Sequence, residues 1–238
     1  LAARDVPATI FVVSGTVGAG RDFWWDALAR VFLTLPELPA ELSLEACGTV
    51  HGWQLGTAAS CSPAELRALG GWSLLRDGVN HPRQTILLGV WEVLNALPMA
   101  DAERLCEIVT SWAGADRSGP ATDHTLSAAE LAQFHAGGLV EIGGHTVSHL
   151  PLDTVDPDTA AREIGQCRAD LGDMVGHEIR SFSYPFGRYG AATPALVRAA
   201  GFDRACTSSW SPAFCDTDRF RIPRIGVTNM DGDCFAGL

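Results

Sequence analysis

The sequence predicts an α/β protein built on a parallel sheet, and three observations carry that prediction. Short apolar, β-rich segments recur along the chain, each closed by glycine, serine or proline. Between them lie stretches of helical length whose starts are marked by capping sequences. Strands alternating with helices in this way form parallel βα units, with functional loops at the carboxyl ends of the strands. At 238 residues the chain is long enough for one large core. The expected organisation is therefore one domain over 1–238, with a helix-rich segment at about 21–125 inserted between two of its strands.

The first element is ATIFVVSG at 8–15, an apolar run closed by Ser and Gly, as expected of a buried parallel strand. It is preceded by LAARDVP, which reads as the tail of a helix feeding directly into that strand, so the expectation is that an upstream piece is missing. In DFWWDALARVFL, Phe23, Trp24, Leu28, Val31 and Phe32 recur near helical spacing and form a core-facing stripe. Ser62-Pro63-Ala64-Glu65 and Ser127-Ala128-Ala129-Glu130 have the capping-box pattern, Asp156-Pro157 and Thr193-Pro194 are N-cap and N1 pairs, and Gly201 sits where a C-terminal cap belongs. The remaining short apolar segments are GLVEIGG (138–144), SFSYPFG (181–187), RACTSS (204–209) and FRIPRIGV (220–227).

Composition excludes several classes of partner. The formal charge is −11, from 28 acidic and 17 basic residues, the latter scattered arginines; this argues against a nucleic-acid or anionic-membrane surface. No apolar run approaches the length of a membrane span, and no signal sequence opens the chain. The seven cysteines, Cys47, Cys61, Cys106, Cys167, Cys206, Cys215 and Cys234, are odd in number and contain no C-x-x-C, so they read as buried, reduced thiols of a cytoplasmic protein.

Two stretches carry candidate chemistry. EIGGHTVSHLPL (141–152) places His145 and His149 four residues apart at the end of a strand. With seven histidines in 238 residues, (7/238)² × 234 gives about 0.2 such pairs by chance, so spacing alone is a modest signal. Position strengthens it, because a strand end delivers side chains to the active face of a βα fold. Two neutral imidazoles suit a zinc-type ion, which needs at least a third protein ligand and an open position for water. The alternative is a histidine that caps a helix or fills a core edge. In FSYPFGRYG (182–190), proline and glycine flank an aromatic residue at a strand end, giving a stiff loop that can aim a backbone N–H at a ligand oxygen. Its alternative is an ordinary strand-to-helix turn.

Together these segments resemble the polysaccharide deacetylases, the family homologous to the chitooligosaccharide deacetylase of nodulation. VPATIFVVSG is similar to the strand that follows the family's first motif, EIGGHTVSHLPL to its H-[ST]-x-x-H motif, and SFSYPFGRYG to its [RS]-x-P-[YF]-G motif. FWWDAL, AAGFDRACTSS and FRIPRIGVTNMDGDCFAGL further resemble a subgroup with a helical insertion. The resemblance implies a distorted (β/α)7-type barrel, here apparently lacking its first strand, that hydrolyses N-acetyl groups of amino sugars with the help of a divalent metal, zinc by preference. It implies that His145 and His149 bind the metal, that the backbone N–H of Phe186 stabilises the oxyanion, and that Ser183, Tyr184, Pro185 and Gly187 shape the groove for an N-acetylated carbohydrate.

The sequence departs from that pattern in three places. The family's T-F-D-D-G motif, source of the base and of the aspartate ligand, is absent and is expected some 15–25 residues before Leu1. Ser183 stands where many members have the arginine that tethers the base, and no histidine follows His177 to act as the acid. As it stands the chain is therefore expected to hold zinc weakly and to lack deacetylation, with Asp123 and Glu141 the first candidates for a replacement carboxylate. Two other readings keep the fold: hydrolysis of a small non-peptide amide, and a non-catalytic carbohydrate-binding or assembly barrel.

Overall fold

A computed structural model describes residues 5–116 and 125–227. In chain order its elements are β1 (Ala8–Val12), α1 (Trp24–Thr34), β2 (Glu41–Ala46), β3 (Thr49–Gln54), α2 (Pro63–Gly70), α3 (Leu74–Asp77), α4 (Pro82–Asn95) and α5 (Met99–Trp112). They continue with α6 (Ala128–Ala136), β4 (Val140–Gly144), α7 (Pro157–Val175), β5 (Ser181–Ser183), α8 (Thr193–Ala199) and β6 (Arg204–Cys206). The chain divides into two compact units, one of Leu1–Ala19 with Leu126–Leu238 and the other of Gly20–Thr125.

The Gly20–Thr125 unit is built on α1. Trp24, Ala27, Leu28, Val31 and Phe32 of its apolar stripe are buried, whereas Phe23 is half-buried at the N-cap and stacks on Trp25 at 4.6 Å. The unit is not purely helical, since β2 and β3 form an antiparallel hairpin. Its turn needs two left-handed residues, Cys47 (φ 50°) and Gly48 (φ 74°), a pairing favoured by two-residue hairpins. Arg83 of α4 is fully buried, and its guanidinium donates to the carbonyls of Ala58, Phe32, Leu35, Pro36 and Ala59. Phe32 and Leu35 end α1, Pro36 follows it, and Ala58 and Ala59 lie after β3, so one cation gathers acceptors from two segments of the chain.

In the other unit the strands run parallel in the order β1-β4-β5-β6. Among the described residues these hydrogen bonds join four strands and do not close the sheet into a barrel. The β4-to-β5 and β5-to-β6 connections each include a helix, α7 and α8, as parallel neighbours require. The α7 helix buries Ala160, Ile164, Cys167 and Leu171 in the same cluster as Ile142 of β4 and Phe182 of β5. It is the longest helix described, and Asp156 caps its start by accepting from the Thr159 N–H at 2.9 Å.

The two glycines that end β4 have a packing reason. A Cβ at Gly143 would meet the Phe11 ring at 2.6 Å and the Ser181 carbonyl at 3.0 Å, and one at Gly144 would meet the Phe202 ring at 3.1 Å. Both faces of the strand are therefore crowded just before His145.

Several local expectations are corrected. FRIPRIGV does not form a strand: Ile222 makes an isolated parallel bridge to Cys206, and Pro223 has no N–H with which to extend it. Helix α8 begins at Thr193, with Ala192 in the cap position, and the Thr193 hydroxyl instead accepts from the Gly190 N–H. Cys47 and Cys215 are exposed, not buried, and Cys234 lies outside the described residues. No described helix is long and apolar enough to cross a membrane.

Candidate active site

The carboxyl ends of β4 and β5 bring the two sequence motifs together. His145 continues the β4 ladder by donating its N–H to the Val12 carbonyl at 2.9 Å. His149 returns to the same place through a tight turn, and the two imidazoles lie with ring centroids 4.9 Å apart at an interplanar angle of 64°. The ring of Phe186, from the loop after β5, meets His149 edge-on at 4.6 Å.

Backbone strain is concentrated here. Thr146 (φ 66°), His149 (φ 61°) and Phe186 (φ 57°) are three of the five non-glycine residues with positive φ among the described residues. Each such residue costs roughly 1–2 kcal/mol, so surrounding contacts must hold it. Thr146 is fully buried, and its hydroxyl accepts from the His149 N–H at 2.9 Å. Its carbonyl accepts from Ser14, and the Val147 carbonyl accepts from Gly15. From the other side Glu163 of α7 takes the Val147 N–H at 3.0 Å, the Ser148 N–H at 2.9 Å and the Ser148 hydroxyl at 2.9 Å.

The ring of His145 is fixed by its own bond. Nδ1 lies 2.6 Å from the Ser183 carbonyl, which can only accept, so Nδ1 carries the proton and the Nε2 lone pair is left for a ligand. That is the usual way a metal-binding imidazole is oriented. Burial depresses the pKa of His145, partly opposed by the Ser183 bond and reinforced by the Arg224 charge. Burial, with the neighbouring His145, lowers that of His149 to about 4. Both rings are therefore neutral at ordinary pH, the state in which an imidazole can act as a ligand.

The loop after β5 is constrained at its glycine. Gly187 is left-handed (φ 69°), and a Cβ there would meet Ser208 Cβ at 2.7 Å. Phe186 is 46 % exposed, and its N–H donates to no group among the described residues. Ser183, Tyr184 and Pro185 are buried; Tyr184 stacks on Tyr189 at 4.4 Å and donates its hydroxyl to the Phe220 carbonyl at 2.8 Å. Of the predicted groove residues these three are therefore buried beneath the loop and Gly187 is half-buried, while the side chain of Phe186, the predicted oxyanion donor, reaches the surface beside the histidines.

Three residues at the site left no legible mark in the sequence: Ser14, Glu163 and Arg224. The Ser14 hydroxyl bonds Asp170 at 3.1 Å. Arg224 donates to the Ser183 hydroxyl at 3.1 Å and to the Thr207 carbonyl at 2.9 Å, with its guanidinium 5.5 Å from the Phe11 ring centroid. A cation thus stands at Ser183, delivered from another part of the chain.

The two imidazoles bring two nitrogen donors together, and among the described residues no group of three His, Cys, Asp or Glu side chains could hold an ion. Glu141 is committed elsewhere: it bonds Ser181 at 2.7 Å and Arg204 at 2.7 Å, and four residues of strand, about 13 Å, separate it from His145. Burial would raise its pKa, yet the Ser181 hydrogen bond and the Arg204 charge hold it below the ordinary carboxylate value. Asp123 lies outside the described residues. A cavity of about 400 Å³ lined by Pro7, Thr9, His135 and Glu141 opens at the amino ends of β1 and β4, away from the histidine pair.

Comparison with known proteins bears on this arrangement. The polysaccharide deacetylase family model matches residues 89–205, a span that contains both histidines and the 183–187 loop. Over 113 residues the chain is 25 % identical to YxkH of Bacillus subtilis (strain 168), which carries a provisional polysaccharide deacetylase name; the match covers 47 % of this chain and 40 % of that protein. Among solved structures, a Streptococcus pyogenes deacetylase, PplD, in complex with acetate aligns with TM-score 0.45 and 18 % identity over 49 % of this chain and 52 % of that one. A de-N-acetylase of Aggregatibacter actinomycetemcomitans aligns with TM-score 0.42 and 12 % identity, over 48 % and 53 %. The chain thus spans two-fifths of the length of the curated relative and about half that of these two structures. The family model and the curated relative both indicate the polysaccharide deacetylase family, the one that the sequence resembles.

Proposed function

We propose that this chain contributes the catalytic face of a metal-dependent carbohydrate deacetylase that removes N-acetyl groups from an amino-sugar polysaccharide or glycoconjugate. The observation that carries the reading is the convergence, at one end of a parallel sheet, of two neutral imidazoles with the loop that presents the Phe186 N–H. The sheet is in this reading an arc of a distorted barrel, and a carboxylate from outside the described residues completes the metal site. His145 and His149 hold the ion, His145 through Nε2 because its Nδ1 is tied to Ser183. A zinc-type ion bound there supplies Lewis acidity toward the acetyl carbonyl and lowers the pKa of water.

The chain's own residues do the rest. The Phe186 N–H donates to the carbonyl oxygen as negative charge develops on it, a role open to a strand-end donor that spends no bond within the fold. Gly187 and Ser183 fix that donor from either side. Arg224, beside His145, favours the unprotonated ring and so the ligand state.

A second reading, a carbohydrate-binding barrel without catalysis, is favoured by one observation: no base or third ligand accompanies the histidines among the described residues. Acetate release from N-acetylated amino-sugar oligosaccharides, with zinc added, separates the two. This chain is expected to bind zinc weakly through His145 and His149 and to release no acetate, whereas a protein extended at its amino end by a strand carrying the T-F-D-D-G motif binds zinc tightly and releases acetate. An extended protein that binds the oligosaccharide and zinc yet releases no acetate refutes the catalytic reading.

A further inference from the structure

The turn that returns His149 to His145 is held from outside by one side chain, and the sequence gives that side chain no role. Residues 146–149 contain two left-handed non-glycine residues, Thr146 and His149, in a stretch where an L side chain normally avoids that conformation. Within the turn the Thr146 hydroxyl accepts from the His149 N–H. Glu163 supplies three more from α7, through one oxygen to two successive backbone N–H groups and through the other to the Ser148 hydroxyl. Successive N–H groups that converge on one carboxylate oxygen form an anion nest, and the ionised acceptor makes each bond stronger than a neutral one. One helix of rigid length thus fixes a carboxylate, the carboxylate fixes Val147 and Ser148, and these fix where His149 emerges. Seven residues on, along the same helix, Asp170 grips Ser14, whose N–H binds the Thr146 carbonyl. The turn is therefore held to α7 directly by Glu163 and indirectly through Ser14.

We propose that Glu163 is the positioning residue of the metal-binding pair: it touches neither metal nor substrate, and it sets the His145–His149 separation. The proposal rests on the deacetylase reading only for the identity of what the pair binds. Loss of a residue that orients a ligand typically weakens metal binding 10–100-fold.

The test uses the 238-residue chain with Glu163→Ala, Glu163→Gln, Ser148→Ala and, as a control on the same helix, Asp173→Asn. Two quantities are read: the zinc dissociation constant by calorimetry, and ring-to-ring nuclear Overhauser effects between His145 and His149 in the metal-free protein. Glu163→Ala is expected to weaken zinc binding about 10–100-fold and to abolish the inter-ring signals. Glu163→Gln restores most of both, because its carbonyl oxygen can take the two N–H groups while its amide donates to the Ser148 hydroxyl. Ser148→Ala, which keeps the two backbone bonds, loses a few-fold, and Asp173→Asn changes nothing. A purely structural role would lower the melting temperature without this ordering. Inter-ring signals that persist in Glu163→Ala, or zinc binding within twofold of the parent, overturn the proposal. Should Glu163→Ala fail to fold, unchanged zinc binding and ring signals in Ser148→Ala overturn it. A parent chain that binds no zinc defeats the metal-dependent reading instead, and the ring signals then decide this one.

Discussion

Gly187→Ala should damage the site more than any single hydrogen bond in it, for two reasons that add. At φ 69° the residue lies in the left-handed region, where a Cβ costs about 1–2 kcal/mol. That Cβ would also sit 2.7 Å from Ser208 Cβ, 2.9 Å from its Oγ and 3.1 Å from its backbone nitrogen. Because the Ser208 Cβ and backbone nitrogen do not move with χ1, a side-chain rotation cannot relieve the contact, and overpacking of this kind costs about 1–3 kcal/mol. The sum, about 2–5 kcal/mol, moves a urea midpoint by roughly 1–2 M for a small domain. Global fluorescence would mislead, since six of the seven tryptophans lie in the Gly20–Thr125 unit. Amide hydrogen exchange across β5 and β6 is the appropriate assay. Adding Ser208→Gly removes the side-chain part of the clash and leaves the conformational cost, so the double variant should recover about 1–2 kcal/mol. A Gly187→Ala loss below about 1 kcal/mol, or no recovery in the double variant, refutes the reasoning.

Two further outcomes are expected. The His149 pKa is about 4 in the folded state against an ordinary 6.5, so its contribution to stability is fully present above pH 6.5 and is lost as pH falls through 4; at 1.36 kcal/mol per unit this is ~3 kcal/mol. Urea unfolding between pH 4 and 8 should therefore fall less steeply on the acid side in His149→Gln than in the parent, and identical slopes would contradict the assignment. Arg83→Met should cost at least ~3 kcal/mol, because it strips a buried cation from five carbonyl acceptors; exchange in α1 and α4 should rise while the β4–β5 amides keep their protection.

The parts of this structure that could be read from the sequence are those governed by local rules. Ser62, Ser127 and Asp156 cap helices because each has the right partner within three residues. The strand ends at 144 and 183 follow from apolar runs closed by small residues. What could not be read depends on residues far apart in the chain. Glu163 looks like any exposed carboxylate of an amphipathic helix, and only the packing of α7 beside β4 brings it to Val147 and Ser148. Arg224 lies within an apparent strand that the fold reduces to one bridge, so nothing in its neighbourhood points to Ser183, 41 residues away. The β2–β3 hairpin escaped notice because its turn uses Cys-Gly where Asn-Gly or Asp-Gly is the usual signal.

The distribution of strain shows why the site is worth this construction. A histidine in an unstrained turn after β4 would leave the strand end with its side chain directed by φ and ψ values that any residue adopts, and nothing would bring it back to His145. Placing Thr146 and His149 in the left-handed region reverses the chain within four residues, at a cost of about 2–4 kcal/mol for the two. The bonds from Ser14, Gly15, Thr146 and Glu163 offset that cost, and none of them uses a ring nitrogen of either histidine. The one ring bond of His145 that orients it is the separate one from Nδ1 to the Ser183 carbonyl. Backbone groups and carboxylates thus hold the turn, and the orientation of the His145 ring is fixed separately, by Ser183.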